Sequence, residues 1–152
     1  MTRLETINEF LGQKRIAVVG VSRNQKDFSR ALFRDLRKRG YDAVPVNPGA
    51  AEVEGLRCYS SVREISPPVD AALLMLPKKA AVEATRDCTQ AGVKRVWFYG
   101  VGTGGADREA LEICEKNGAA AVAGHCPFMF LPNPGPHRIH AWVLKLFGKY
   151  PK

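Results

Sequence analysis

Short runs of consecutive apolar residues alternate along this chain with longer segments of helical periodicity. The first run, residues 16–20, is apolar up to a closing glycine, which is typical of a strand buried on both faces of a parallel sheet. Residues 28–39 follow, with Leu32 and Leu36 on one helical face. Residues 41–46 then form a second apolar run. The pattern predicts a β–α–β unit at the start of the chain.

The same alternation continues to residue 123. We predict a leading helix that closes at residues 8–12 and a small strand at 56–59. Sheet strands are predicted at 16–20, 41–46, 70–76, 94–99 and 119–123, with helices at 28–39, 77–91 and 106–117. We therefore expect an α/β fold with a Rossmann-like, doubly wound, five-stranded parallel sheet. The expected strand order is 3-2-1-4-5, with the ligand crevice at the switch point beside the first strand.

The last twenty residues form a separate predicted segment. A rigid turn at 133–136 precedes a short helix whose apolar residues share one face. That face consists of Ile139, Trp142, Val143, Leu146 and Phe147. We divide the chain into a Rossmann-like domain over 1–132 and an amphipathic helical tail over 133–152, packed on the domain or on a partner. Packing on the domain, a dimer contact and a membrane-surface contact remain open for this face.

Composition favours one soluble, cytoplasmic domain. A chain of 152 residues that is 45% hydrophobic can bury one core but not two. No apolar run reaches membrane-spanning length, and the N-terminus lacks the apolar region of a signal peptide. The four cysteines show neither metal-binding nor disulfide spacing, so we expect reduced thiols and no metal site.

The turn after the first strand collects hydrogen-bond donors. A strand, a tight turn and a helix place backbone N–H groups where an anion can bind. The polar side chains of this turn and of the helix start suit several phosphates. They are Ser22, Arg23, Asn24, Lys26, Ser29 and Arg30. Seven basic and two acidic residues lie between Arg23 and Arg39, so much of the net charge of +8 would steer a polyanionic nucleotide to this turn.

A nicotinamide cofactor fits these residues poorly. Its fingerprint needs three glycines and an acidic residue about 20 residues further on. Here Ser22 and Phe28 follow Gly20, and the second strand ends in Asn47 without a carboxylate. Asp42 stands at the wrong end of that strand. Nucleic acid is disfavoured as well, because no helix-turn-helix, RNP-like or zinc-finger signature is present.

The carboxyl ends of the strands converge at one edge of the predicted sheet, and we take the residues there as the candidate ligand site. Asn47-Pro48 forms either a plain turn or a flat surface for an adenine ring. Lys78 either contacts a phosphate or lies exposed in the first turn of a helix. The backbone of the glycine-rich turn at 100–105 either approaches the ligand or forms a flexible loop. The predicted binding residues are Gly20, Val21, Ser22, Arg23, Lys26, Ser29, Arg30, Asn47, Pro48, Leu76, Pro77, Lys78 and Tyr99.

A set of short motifs is spread in order over about residues 5–130. They are Ile16 to Asn24, Gly40-Tyr41, Pro45 to Pro48, Gly55, Tyr59, Val69-Asp70, Val96-Trp97 and Cys126-Pro127. With this order and spacing the chain resembles the small stand-alone CoA-binding proteins, which share a Rossmann-like fold with the CoA-binding domain of the succinyl-CoA synthetase α subunit. The resemblance implies that coenzyme A or acyl-CoA is the ligand and that the protein is a cytoplasmic module. A homodimer, suggested by the apolar face of the tail helix, and an acyl-CoA-using protein partner are both left open.

Catalytic groups are sparse. His125, His137 and His140 all lie near the end of the chain, and no Asp or Glu follows Glu115 to orient them. Cys126 lies beside the predicted crevice, where it is either a buried thiol or one that exchanges with the thiol of CoA. We therefore expect a binding module without catalytic activity of its own. The alternative is a small oxidoreductase or a thiol-dependent CoA-linked enzyme that uses Cys126.

Overall fold

The structure is a computed structural model that describes residues 4–99, 106–127 and 130–131. The predicted glycine-rich turn at 100–105 and the predicted tail helix lie outside the described residues. So do His137, His140 and the boundary between the two predicted domains.

Helices and strands alternate as the apolar pattern indicates. The helices are α1 (Leu4–Leu11), α2 (Phe28–Lys38), α3 (Lys78–Gln90) and α4 (Arg108–Lys116). The sheet strands are β1 (Arg15–Val19), β2 (Asp42–Val46), β5 (Ala71–Leu74), β6 (Arg95–Phe98) and β7 (Ala120–Ala123). The two-residue strands β3 (Glu52–Val53) and β4 (Leu56–Arg57) pair antiparallel, and a 3-10 helix (Val62–Glu64) follows them. The predicted sheet strands and the helices between them are confirmed.

The five sheet strands are parallel and lie in the order β2-β1-β5-β6-β7, which confirms the doubly wound Rossmann-like fold. Ala71–Leu74, the third of the predicted sheet strands, pairs with β1 and does not lie beyond β2. All four of its residues are buried, as an interior strand requires. A parallel bridge between Val46 and Tyr59 occupies the place beyond β2. If the segment at Tyr59 is counted as the third strand along the chain, then β5, β6 and β7 become the fourth, fifth and sixth. The spatial order is then 3-2-1-4-5-6.

Successive residues of β1 point to opposite faces of the sheet and supply two apolar layers. Ile16 and Val18 pack with α1 and α2, whereas Ala17 and Val19 face α3 and α4. The fully buried Trp97 anchors the first layer, because its ring lies edge-on to Phe10 at 5.3 Å. Burying each such side chain contributes about 1.5–3 kcal/mol, so the sheet is a rigid base for the loops at its carboxyl edge.

All four cysteines are free. Cys88 and Cys114 lie in the core between α3 and α4, where burial raises their pKa to about 12 and about 11. Within the part of the chain that the structure describes, no three His, Cys, Asp or Glu side chains cluster as metal ligands. Within the same residues, no helix has the length and apolar character needed to cross a bilayer.

Candidate functional site

A cleft of about 510 Å³ opens at the carboxyl edge of β1, β2 and β5. Its volume is in the range of small-molecule sites, and it lies at the switch point where ligands of open α/β sheets bind. Six of the thirteen predicted binding residues line it: Gly20, Ser22, Asn47, Pro48, Leu76 and Pro77. The other seven lie at its rim, beneath the loop or beyond it.

Gly20 allows the first turn to cross the end of β5. Its φ is +92°, and a Cβ at this position would lie 2.4 Å from the backbone oxygen of Met75 and 2.8 Å from a methyl carbon of Leu76. Any larger residue would therefore clash with backbone that cannot move aside. This close approach brings the turn after β1 and the segment after β5 together as the floor of the cleft.

Asn47 joins the two loops on either side of the cleft. Its Nδ2 donates to the carbonyl of Val21 at 2.8 Å, and its Oδ1 accepts from the N–H of Gly49 at 2.8 Å. The side chain at the end of β2 thus fixes the turn after β1. Val21 itself is fully buried, so its side chain belongs to the core.

Ser29 fixes the first turn from beneath. Its buried hydroxyl accepts from the N–H of Ser22 at 2.9 Å and donates to Asp27 Oδ1 at 2.6 Å. Asp27 is also the N-cap of α2, since its carboxylate accepts from the N–H of Ser29. Hydrogen bonds from the Ser29 hydroxyl and then from its N–H hold the pKa of Asp27 below its usual value. The N-terminus of α2 is therefore already capped by a carboxylate of the chain itself.

Arg30 supports the same turn from inside the protein. Only 6% of this residue is exposed, and its Nη1 donates to the carbonyls of Ser22 at 3.1 Å and Arg23 at 3.3 Å. Its Nη2 lies 3.0 Å from Glu54, which is also paired with Arg34. Hydrogen bonds from Arg34 and then from Arg30 lower the pKa of the Glu54 carboxyl. Arg30 thus clamps the loop to the β3–β4 hairpin.

Several exposed cations of the described residues lie at or near the cleft. Arg23 follows the cleft residue Ser22, and its Nη1 reaches the carbonyl of Gly49 only at 3.5 Å. Lys26 is exposed in the same loop. Lys78 follows the cleft residue Pro77 and begins α3. Arg23 and Lys78 thus adjoin cleft-lining residues along the chain and carry exposed charges available to an anionic ligand.

The N-terminus of α3, unlike that of α2, has no side-chain cap. Pro77, its N-cap, makes no side-chain capping bond, and the first turn contains no acidic residue. Lys78 and Lys79 are both exposed there, although cations oppose the positive end of the helix dipole. A bound anion would satisfy the free N–H groups and offset the two cations together. The anion site at a helix start is therefore more consistent with α3 than with the capped helix α2.

Tyr99 lies at the same edge but outside the residues that line the cleft. It follows β6, and its ring centroid is 5.6 Å from that of Phe28 at the start of α2. Burial first, and the neighbouring Cys126 second, raise the pKa of its hydroxyl to about 12. His125 lies beside Cys126, its pKa is lowered by burial, and its carbonyl accepts from Trp97 Nε1 at 2.9 Å. The half-buried Cys126 therefore faces a neutral phenol.

Sequence reasoning missed the far wall of the cleft. Ala80, Ala84 and Asp87 recur at helical spacing and give α3 one cleft-facing side. Ser60 and Ser61 also line the cleft, just after the bridge from Tyr59, and Ser61 lies next to Asp87. The spacing on α3 is visible in the sequence, but the serines reach the cleft only through that bridge.

A second depression of about 350 Å³ lies at the opposite edge of the sheet, around Lys14, Arg39 and Tyr41. Arg39 is ion-paired with Asp35, and the hydroxyl of Tyr41 donates to the carbonyl of Leu11 at 2.6 Å. Because open α/β sheets bind ligands at the carboxyl ends of their strands, the cleft beside β1 is the candidate site.

The fold is that of an open, doubly wound α/β domain, and the cleft lies at the switch point where such domains bind their ligands. The chain belongs to the CoA binding domain family, which matches it over residues 14–132. Every cleft-lining residue lies within that match. The family resemblance read from the short motifs is confirmed.

Individual proteins that are similar to the chain differ in size. The chain is 31% identical to the alpha subunit of ADP-forming acetate–CoA ligase II of Pyrococcus furiosus, with 79% of the chain aligned, but it spans only 28% of that subunit. A conserved hypothetical protein of Pyrococcus furiosus is 34% identical with a TM-score of 0.68, over 74% of this chain and 95% of its own. A hypothetical protein of Pyrococcus horikoshii is 28% identical with a TM-score of 0.73, over 95% and 97%.

Proposed function

We propose that this protein binds coenzyme A or an acyl-CoA in the cleft at the carboxyl edge of β1, β2 and β5, and that it is a binding module without a catalytic step of its own. One observation carries the proposal. In a chain of the CoA binding domain family, the 510 Å³ cleft adjoins the helix start at Pro77 that has no side-chain cap.

The residues around the cleft fit the chemistry of CoA, which is a polyanion at one end and carries a reactive thiol at the other. Arg23, Lys26 and Lys78 would hold the phosphates, together with the first N–H groups of α3. Pro48, Leu76 and Pro77 supply apolar surface. Gly20 and Ser22 form the floor, while Ser29, Arg30 and Asn47 act by positioning the loop. Tyr99 lies at the same edge and would border the thiol-bearing arm.

The enzyme alternatives have weaker support in the site. An oxidoreductase that uses a nicotinamide cofactor would place an acid at the end of β2, where Asn47 instead holds two backbone groups. A thiol-dependent reaction would need Cys126 as a thiolate. The base nearest in sequence, His125, is disfavoured in its charged form by burial, and the contacting hydroxyl of Tyr99 stays protonated at neutral pH.

Cellular location and partners follow as further parts of the proposal. Four free thiols suit the reducing cytoplasm. The Pyrococcus furiosus relative is named as an alpha subunit, which supports a protein partner for this chain as well.

Equilibrium titration tests the function directly. We expect calorimetry to show CoA binding to the full chain more tightly than NAD or NADP. Mass spectrometry of the protein purified under native conditions should then identify CoA or an acyl-CoA as the co-purifying ligand, and so name the acyl group. Tighter binding of NAD than of CoA would contradict the proposal.

A further inference from the structure

The wall of the cleft that α3 forms carries one carboxylate. A carboxylate repels a polyanionic ligand, so its presence in the cleft needs another explanation. Asp87 lines the cleft together with Ala80 and Ala84, one helical face of two small side chains and one acid. Ser61, on the facing segment, donates its hydroxyl to Asp87 Oδ2 at 3.3 Å. At this distance the bond is a weak one, so Ser61 orients the cleft-lining carboxylate only in part.

The surroundings of Asp87 suit the flat face of a base. Val46, Val62 and Ala84 are buried apolar residues of the cleft lining, and the alanines on α3 leave room for a ring to approach. Asp87 lies nine residues beyond Lys78, which is about 13 Å along the helix axis. At this separation the repulsion between the carboxylate and a phosphate held at the helix start is much weaker than at contact distance.

We propose that Asp87, oriented by Ser61, accepts a hydrogen bond from the exocyclic amino group of the adenine ring and thereby selects ligands that carry this group. The inference rests on the proposed CoA function and adds the residue that recognises the adenine base. A carboxylate accepts hydrogen bonds and cannot donate them, so it matches the N–H of an adenine amino group. Such a charge-assisted bond in a cleft is among the stronger polar contacts.

The test compares CoA with 1,N6-etheno-CoA, in which both amino hydrogens are replaced. The wild-type chain should bind the etheno derivative about ten- to a hundredfold more weakly than CoA. In Asp87→Ala the affinity for CoA should fall by a similar factor, while the affinity for the etheno derivative changes less than threefold. The preference between the two ligands should therefore collapse. This cycle separates a lost contact from a steric effect of the added ring.

Charge and side-chain shape are controlled separately. Glu83→Ala removes one negative charge from the same helix at an exposed position, and it should leave the preference for CoA unchanged. Because CoA is a polyanion, loss of a carboxylate by charge alone would strengthen binding, which is opposite to the expected result. Asp87→Asn preserves the shape and keeps one acceptor oxygen, so it should retain part of the preference. Ser61→Ala should weaken it slightly.

The outcomes also distinguish this inference from the proposed function. If CoA binds the wild-type chain and Asp87→Ala and Asp87→Asn both keep the full preference for CoA over its etheno derivative, then Asp87 does not read the base and only this inference is overturned. If CoA fails to bind the wild-type chain, the proposed function itself is overturned.

Discussion

The backbone N–H of Ser22 donates to the buried hydroxyl of Ser29 at 2.9 Å, seven residues further along the chain. This bond joins the turn after β1 to the start of α2. The same Ser29 hydroxyl donates a second hydrogen bond to the carboxylate of Asp27. A backbone donor that a phosphate could have used is therefore already occupied. Ser29 shapes the site, and the ligand contacts are left to the residues around it.

Loss of this bond should reduce stability. Ser29→Ala leaves the Ser22 N–H without its partner, so we expect the free energy of unfolding to fall by about 1–3 kcal/mol. Ser22→Ala, which removes only an exposed bond to the N–H of Asn24, should change it by less than about 1 kcal/mol. Urea unfolding of both variants checks the difference. Equal losses would show that the buried hydroxyl has no special role.

Arg23 in the loop after β1 and Arg30 in α2 should respond differently to substitution. Arg23→Ala should weaken CoA binding about ten- to a hundredfold, because it removes an exposed charge available to a phosphate, and should leave stability unchanged. Arg30→Ala removes the bonds to two loop carbonyls and should lower the free energy of unfolding by at least about 2 kcal/mol. Calorimetric titration and urea unfolding of each variant separate the roles. An Arg23 variant with wild-type affinity would place the phosphates elsewhere.

Gly20 and Gly40 form a matched pair for testing the crossing at β5. Their φ angles are +92° and +91°, but a Cβ on Gly40 would meet nothing within 4 Å. Gly40→Ala should therefore cost only the backbone strain, roughly 1–2 kcal/mol. Gly20→Ala should cost about 1–3 kcal/mol more, because its Cβ overlaps the backbone of Met75. Thermal or urea unfolding gives both values, and similar values would mean that the chain relaxes away from the contact.

Tyr99 should titrate late as the solution becomes alkaline. The pKa of its hydroxyl is raised from 10.0 to about 12, mainly by burial. The unfolded chain releases this proton first, so the contribution of Tyr99 to stability is complete below pH 10 and is lost as the pH rises toward 12. Tyr99→Phe should make stability decline less steeply over this interval. Unfolding measured at several pH values checks the slope, and an unchanged slope would contradict the burial of Tyr99.

The apolar pattern was sufficient for the elements but not for the details of the site. The buried run at β1 and the helical face of Leu32 and Leu36 depend on local sequence, and they predicted the β–α–β unit correctly. The neighbours of Ala71–Leu74 depend on how the chain crosses the sheet, which local sequence does not determine. This strand was expected beyond β2, but it pairs with β1, and Tyr59 forms the bridge beyond β2. The role of Arg30 could not be predicted either, because its partner Glu54 lies 24 residues away on a hairpin.

Filling the cleft tests the central claim most directly. Ala80 and Ala31 are both exposed residues in the first half of a helix, but only Ala80 lines the cleft. We expect Ala31→Phe to bind CoA as the wild-type chain does, and Ala80→Phe to bind it at least about tenfold more weakly, because the ring takes up space that the ligand needs. Calorimetric titration of CoA into the three folded proteins gives the answer. CoA affinity that is equal in all three would contradict the assignment of this cleft as the CoA site.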